Sequence, residues 1–112
     1  MNLKESAKKL ELEEEELLEL VDLFLKTTSS ELTELQSALE KKGFPVAERM
    51  AHSIKGAAGS LGLMDIHDAA KGIEMALREN HLTDINGCIL MIREKLDLIA
   101  EALKIGDQNA KA

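Results

Sequence analysis

The chain has 112 residues, enough for one hydrophobic core and too few for a kinase with its own nucleotide site. Its hydrophobic fraction is 45%, but two Phe and no Trp or Tyr leave that core to Leu, Ile, Met, Val and Ala, a composition suited to helix bundles. A formal net charge of -7 argues against nucleic acid, whose phosphates are bound by clustered Lys and Arg. No run of about 18 apolar residues is present to span a membrane.

One proline and few β-branched clusters argue against sheet. The lone Cys88 has no internal disulfide partner and reads as a small core or boundary residue among Ile85, Ile89 and Ile92. No charged segment followed by an apolar one opens the chain, so a reducing cytoplasm is the expected location.

In chain order, Leu3, Ala7 and Leu10 predict a short amphipathic helix. Glu11 to Glu16 then supply the acidic residues favoured in the first turn of a second, long helix. Along it Leu17, Val21, Phe24, Thr28, Leu32, Leu35 and Leu39 recur at spacings of three and four, up to Lys41 and Lys42, with Gly43 as the stop. Thr27 to Ser30 mark a potential bend, because hydroxyls can bond back to helix carbonyls.

Pro45 suits the first turn of a third helix, with Ala47, Met50, Ala51, Ile54, Ala58 and Leu61 on one side and Gly62 as its C-cap. Asp65 is the expected cap of a fourth helix, whose core stripe is Ile66, Ala70, Ile73 and Leu77 and whose end is near Asn80. After a turn at His81 and Leu82, Thr83 or Asp84 would cap a last helix carrying Ile85, Ile89, Ile92, Leu96, Ile99 and Leu103. Residues 106–112 read as a frayed polar tail on a domain of residues 1–105. Short connections favour antiparallel neighbours, so the expected fold is all-α: an antiparallel up-down-up-down four-helix bundle with a short extra N-terminal helix.

The third helix carries Ala51-His52-Ser53-Ile54-Lys55-Gly56-Ala57-Ala58-Gly59-Ser60-Leu61-Gly62. At about 100° per residue, His52 projects roughly 150° from the centre of the apolar stripe and so faces solvent. Gly56 and Gly59 lie on the histidine's side, and each costs about 1 kcal/mol relative to alanine within a helix. Access offsets that cost, since bare backbone lets another protein bring a reactive group up to the imidazole. Lys55 follows nearly one turn on, a cation on the same stretch of surface.

This stretch resembles the phosphoacceptor helix of histidine-containing phosphotransfer (HPt) domains, His-x-x-Lys-Gly followed by small residues and a closing Gly. Ser60 stands where many members have Asn. The resemblance implies that His52 takes a phosphoryl group on Nε2 from an aspartyl phosphate of a receiver domain and delivers it to another receiver, with Lys55 placed to draw in the phosphoryl oxygens and neutralise their charge. The partners implied are receiver domains of response regulators or hybrid histidine kinases. Family members often carry an acidic or amide residue on the following helix that accepts the imidazole Nδ1-H, and Glu74 is the candidate here.

Arg49, Gly56, Gly59 and Ser60 are expected to form the docking face. Leu18 and Leu25 would widen the apolar face of the second helix toward the edge bordering the motif. No metal site is expected: His67 and His81 have no ligand-spaced partner, and Glu13 to Glu16 read as a solvated helix start. Nothing resembles a nucleotide-binding loop. The expectation is therefore a monomeric phosphocarrier without a cofactor of its own or autokinase activity, with Mg2+ held by the partner receiver. Two other readings are the phosphoacceptor domain of a chemotaxis-type kinase and a non-catalytic helical adapter.

Overall fold

The computed structural model describes residues 3–10 and 12–111, with side chains described at 4–10 and 12–104. Helix α1 spans Leu3–Lys9, α2 Glu14–Glu40, α3 Phe44–Ser60, α4 Met64–Glu79 and α5 Ile85–Lys111, with a 3-10 turn at Leu82–Asp84 before α5. Among the described residues there is no strand. α2 packs on α3, α3 on α4, α4 on α5, and α5 closes back onto α2, while α1 lies against α2. This is the expected bundle with its extra N-terminal helix.

The stripes predicted from sequence form the core. Leu17, Val21, Phe24, Leu32 and Leu35 of α2 are buried with Ala47, Ala51, Ile54 and Ala58 of α3, Ile66, Ala70 and Ile73 of α4, and Ile85, Ile89, Ile92, Leu96 and Ile99 of α5. The small α3 residues have a structural consequence. Three alanines in its stripe let α3 lie close to its neighbours, so groups on its flanks reach across to α4. Met50, Leu61, Leu77 and Leu103 are only partly buried, and on α2 Ala38 takes the buried place expected of Leu39. Thr28 is fully buried with its hydroxyl unpartnered, yet α2 continues unbroken through the expected bend.

Three helices end in one way, an αL residue followed by an N-H that reaches back to close the last turn. The αL residues are Lys42 (φ 58°), Gly62 (φ 73°) and Asn80 (φ 59°). The closing bonds are Gly43 N to Ala38 O at 2.7 Å, Leu63 N to Ala58 O at 2.9 Å and His81 N to Ala76 O at 2.8 Å. Gly62 and Asn80 stand where the sequence puts the stops, but at the end of α2 the left-handed residue is Lys42 and not Gly43.

Other local expectations shift. Leu63, without a side-chain bond, occupies the N-cap of α4, and Asp65 lies in the first turn, where its carboxylate suits the helix dipole and pairs with Lys95 Nζ at 3.2 Å. Thr83 and Asp84 belong to the 3-10 turn. Glu14 to Glu16 form the first turn of α2, while Glu11 lies outside the described residues. The backbone of α5 remains helical past Gly106 to Lys111, where a frayed tail was expected. No described helix is long and apolar enough to cross a membrane.

Candidate functional site

Because α3 and α4 run antiparallel, equal steps along the two helices, one turn and then two, bring facing residues together as rungs. Glu48 meets Arg78, His52 meets Glu74, and Gly59 meets His67. The central rung holds the chemistry. His52 is two-thirds exposed, as its angle from the apolar stripe predicts, whereas the Glu74 side chain is 3% exposed. His52 Nδ1 lies 2.6 Å from Glu74 Oε2, and Lys55 Nζ donates to Oε1 at 2.7 Å.

Burial pushes the Glu74 carboxyl upward, but the hydrogen bonds from Lys55 and His52 and the charges of Lys55 and Arg78 outweigh it, so its pKa falls below the ordinary 4.5. Glu74 is therefore ionised near neutral pH and only accepts, which requires Nδ1 to carry the ring proton. Nε2 makes no hydrogen bond among the described residues, so its lone pair is directed to solvent. Lys55 is not the free surface ammonium its motif position suggests, since it is 23% exposed and anchored to Glu74, though an ammonium keeps two further donors.

The third rung separates the two motif glycines. A Cβ on Gly56 would meet nothing within 4 Å, which leaves the backbone beside His52 open. On Gly59 it would come 3.2 Å from Cδ2 of His67, so this glycine serves the packing of α3 on α4. Ser60 is exposed, and its hydroxyl donates to the Gly56 carbonyl at 3.0 Å. Arg49 is exposed and makes no ion pair among the described residues.

Leu18 and Leu25 do not border the motif helix. They line a groove with Ala100, Leu103 and Lys104 of α5, on the far side of α2. The α2 residues that flank α3 are Leu20, Leu23 and Thr27, in a hollow with Leu10, Leu12, Ala57, Ser60 and Leu61. Leu20 and Leu23 are exposed, at 41% and 61%. Sequence reasoning missed them because both flanks of the α2 stripe carry leucines. It also missed Glu48 and Arg78, joined from Nε to Oε1 at 2.6 Å, with Arg78 Nη2 3.5 Å from Glu74 Oε2. That bond to Glu48, with the charge of Glu74, pushes the Arg78 pKa further up.

A family model described as the Hpt domain matches residues 19–109, so the chain belongs to the Hpt domain family. Its fold is similar to the crystal structure of histidine-containing phosphotransfer protein B (HptB) from Pseudomonas aeruginosa PAO1. The TM-score is 0.80 and the identity 23%, over 93% of this chain and 90% of that one. No curated protein sequence matches it. Family membership makes this chain a phosphocarrier of two-component relays, whose members work with receiver domains.

Proposed function

We propose that His52 is the phosphoacceptor and that the chain shuttles a phosphoryl group between the aspartates of two receiver domains in a multistep relay. The observation that carries this reading is an exposed imidazole whose Nδ1-H is held by a buried, ionised carboxylate, leaving Nε2 free. The Nε2 lone pair attacks the phosphorus of an aspartyl phosphate, an N–P bond forms, and the P–O bond breaks with its electron pair leaving on the aspartate. The ring becomes positive, and Glu74 stabilises that charge through Nδ1-H. The same events in reverse deliver the group to the next receiver.

Lys55 uses its uncommitted N-H donors on the phosphoryl oxygens as negative charge develops there. The Mg2+ that phosphoryl transfer requires belongs to the receiver's acidic pocket, and this chain supplies no cofactor. The receiver docks over Gly56 and the apolar hollow between α2 and α3, where Leu20 and Leu23 take the place expected of Leu18 and Leu25. Arg49 adds charge for the acidic partner pocket, and the carrier acts as a cytoplasmic monomer.

Incubation with a phosphorylated receiver tests the reading. The wild-type chain should acquire an acid-labile, base-stable label, and His52→Gln should acquire none while keeping its helical circular dichroism. Label retained in the variant would assign the phosphoacceptor elsewhere.

A further inference from the structure

The rung one turn before His52 divides one guanidinium between two carboxylates. Arg78 Nε donates to Glu48 Oε1 at 2.6 Å, while Nη2 stays 3.5 Å from Glu74 Oε2, the oxygen that also accepts from His52 Nδ1. Arg78 thus lies beside the phosphoacceptor's own partner, but its short contact is with α3. Arg49 and Lys71, other cations of the same two helices, make no ion pair among the described residues, and Lys55 is held by Glu74 itself, so Arg78 is the cation of these two helices restrained by a carboxylate other than the partner of His52.

With a neutral imidazole, the charges of Glu48, Glu74, Lys55 and Arg78 cancel. A phosphoryl group on Nε2 adds up to about two negative charges and makes the cluster strongly anionic. Glu74 is fixed by burial, and Lys55 is hydrogen-bonded to it. Arg78 differs: it is 59% exposed, its clamp Glu48 is 34% exposed, and a guanidinium's five donors leave several uncommitted. Of the two cations in the cluster it is the more cheaply reassigned to a phosphoryl group, and Glu48 is what opposes the reassignment.

We propose that Glu48 is a positioning residue that holds Arg78 back from His52, so that a phosphoryl group there is less stabilised, and more readily passed on, than the surrounding cations would allow. This rests on His52 being the phosphoacceptor. A half-exposed ion pair is weak, so the effect is a few-fold shift in the equilibrium and not a switch.

The test uses the full chain with phosphoramidate as donor, from which Nε2 takes the phosphoryl group as the P–N bond breaks and ammonia leaves. The ratio of phosphorylated to free chain, at fixed phosphoramidate and ammonia, is read by 31P NMR from both directions. Glu48→Gln should raise this ratio about threefold by releasing Arg78. Arg78→Gln should lower it, and adding Glu48→Gln to Arg78→Gln should change it by a clearly smaller factor.

Glu48→Asp keeps the charge but withdraws the carboxylate by one methylene, so it too should raise the ratio, and it provides a second variant if the first folds poorly. An equal factor with and without Arg78 would show that Glu48 acts only as a nearby negative charge and would overturn the proposal. So would an unchanged ratio in both Glu48 variants. A wild-type chain that takes no phosphoryl group would instead overturn the phosphoacceptor reading and this one with it, a result distinct from equal ratios among labelled variants.

Discussion

The two sides of α3 are built from different materials. Toward α4 the seam is polar and specific, with Glu48 meeting Arg78 and His52 meeting Glu74, a carboxylate that is almost fully buried. Toward α2 the seam opens into an apolar hollow, where Leu20 and Leu23 remain exposed. His52 stands between them. The difference separates two requirements of a phosphoryl carrier: fixed distances orient the imidazole on one side, and on the other an adaptable apolar surface receives successive partners.

Disrupting the polar side should have the largest effect after loss of His52 itself. Glu74→Ala would free the imidazole and leave the Lys55 ammonium half-buried without its acceptor. Transfer from a phosphorylated receiver should then fall about ten- to a hundredfold, the usual scale for losing the partner that orients a reactive ligand. Stability should fall by about 1–3 kcal/mol in urea unfolding. A Glu74→Ala chain with wild-type transfer rates would show that the buried carboxylate is structural only.

The same carboxylate gives a pH signature. Its folded pKa lies below the ordinary 4.5, so its stabilising contribution is complete above that value and is lost as pH falls through the lower, folded one. Glu74→Gln should therefore flatten the acid limb of a stability profile measured below about pH 5, while still accepting the Nδ1-H. An acid limb as steep as that of the wild type would assign it to other carboxylates.

Disruption of the apolar side should separate binding from folding. Leu23→Ala should weaken receiver binding several-fold, with a melting temperature close to wild type, because Leu23 is 61% exposed. Leu25, partly buried against the core on the α5 side of α2, should behave in the opposite way: Leu25→Ala should cost about 1–2 kcal/mol and leave binding unchanged. Titration calorimetry and thermal melts of the two variants provide the check, and binding lost in Leu25→Ala alone would return the docking face to the α5 side.

What the sequence made legible was what lies within one helix. The angle of His52 from its apolar stripe, the stops at Gly62 and Asn80, and the α4 and α5 stripes follow from a 3.6-residue period and local backbone chemistry, and the structure has them where periodicity puts them. Glu74 came from the family's pattern, and it meets Nδ1 of His52 at 2.6 Å. Relations between helices were less legible. Which flank of α2 faces α3 depends on the rotation of α2 about its axis, and with Leu18 and Leu25 on one flank and Leu20 and Leu23 on the other, hydrophobicity alone does not decide it. Glu48 and Arg78 are 30 residues apart, and only the antiparallel register brings them together.

The smallest expected effect tests the two motif glycines, which the sequence treats alike and the structure separates. Gly56→Ala places a methyl group in open space on a helix interior, so it should stabilise the chain by about 1 kcal/mol through helix propensity. The larger Gly56→Leu should keep the fold and slow transfer from receivers by obstructing the approach to Nε2. Gly59→Ala gains the same propensity, but its methyl group would press on the His67 ring at 3.2 Å, so the ring or α4 must yield and the net change should lie near zero or below it. Because His67 also contacts Asp68 at 3.0 Å, displacing the ring loses that contact too. Denaturation midpoints of the two alanine variants decide the matter. Equal stabilisation would mean that His67 moves aside freely and that Gly59, like Gly56, is there for access.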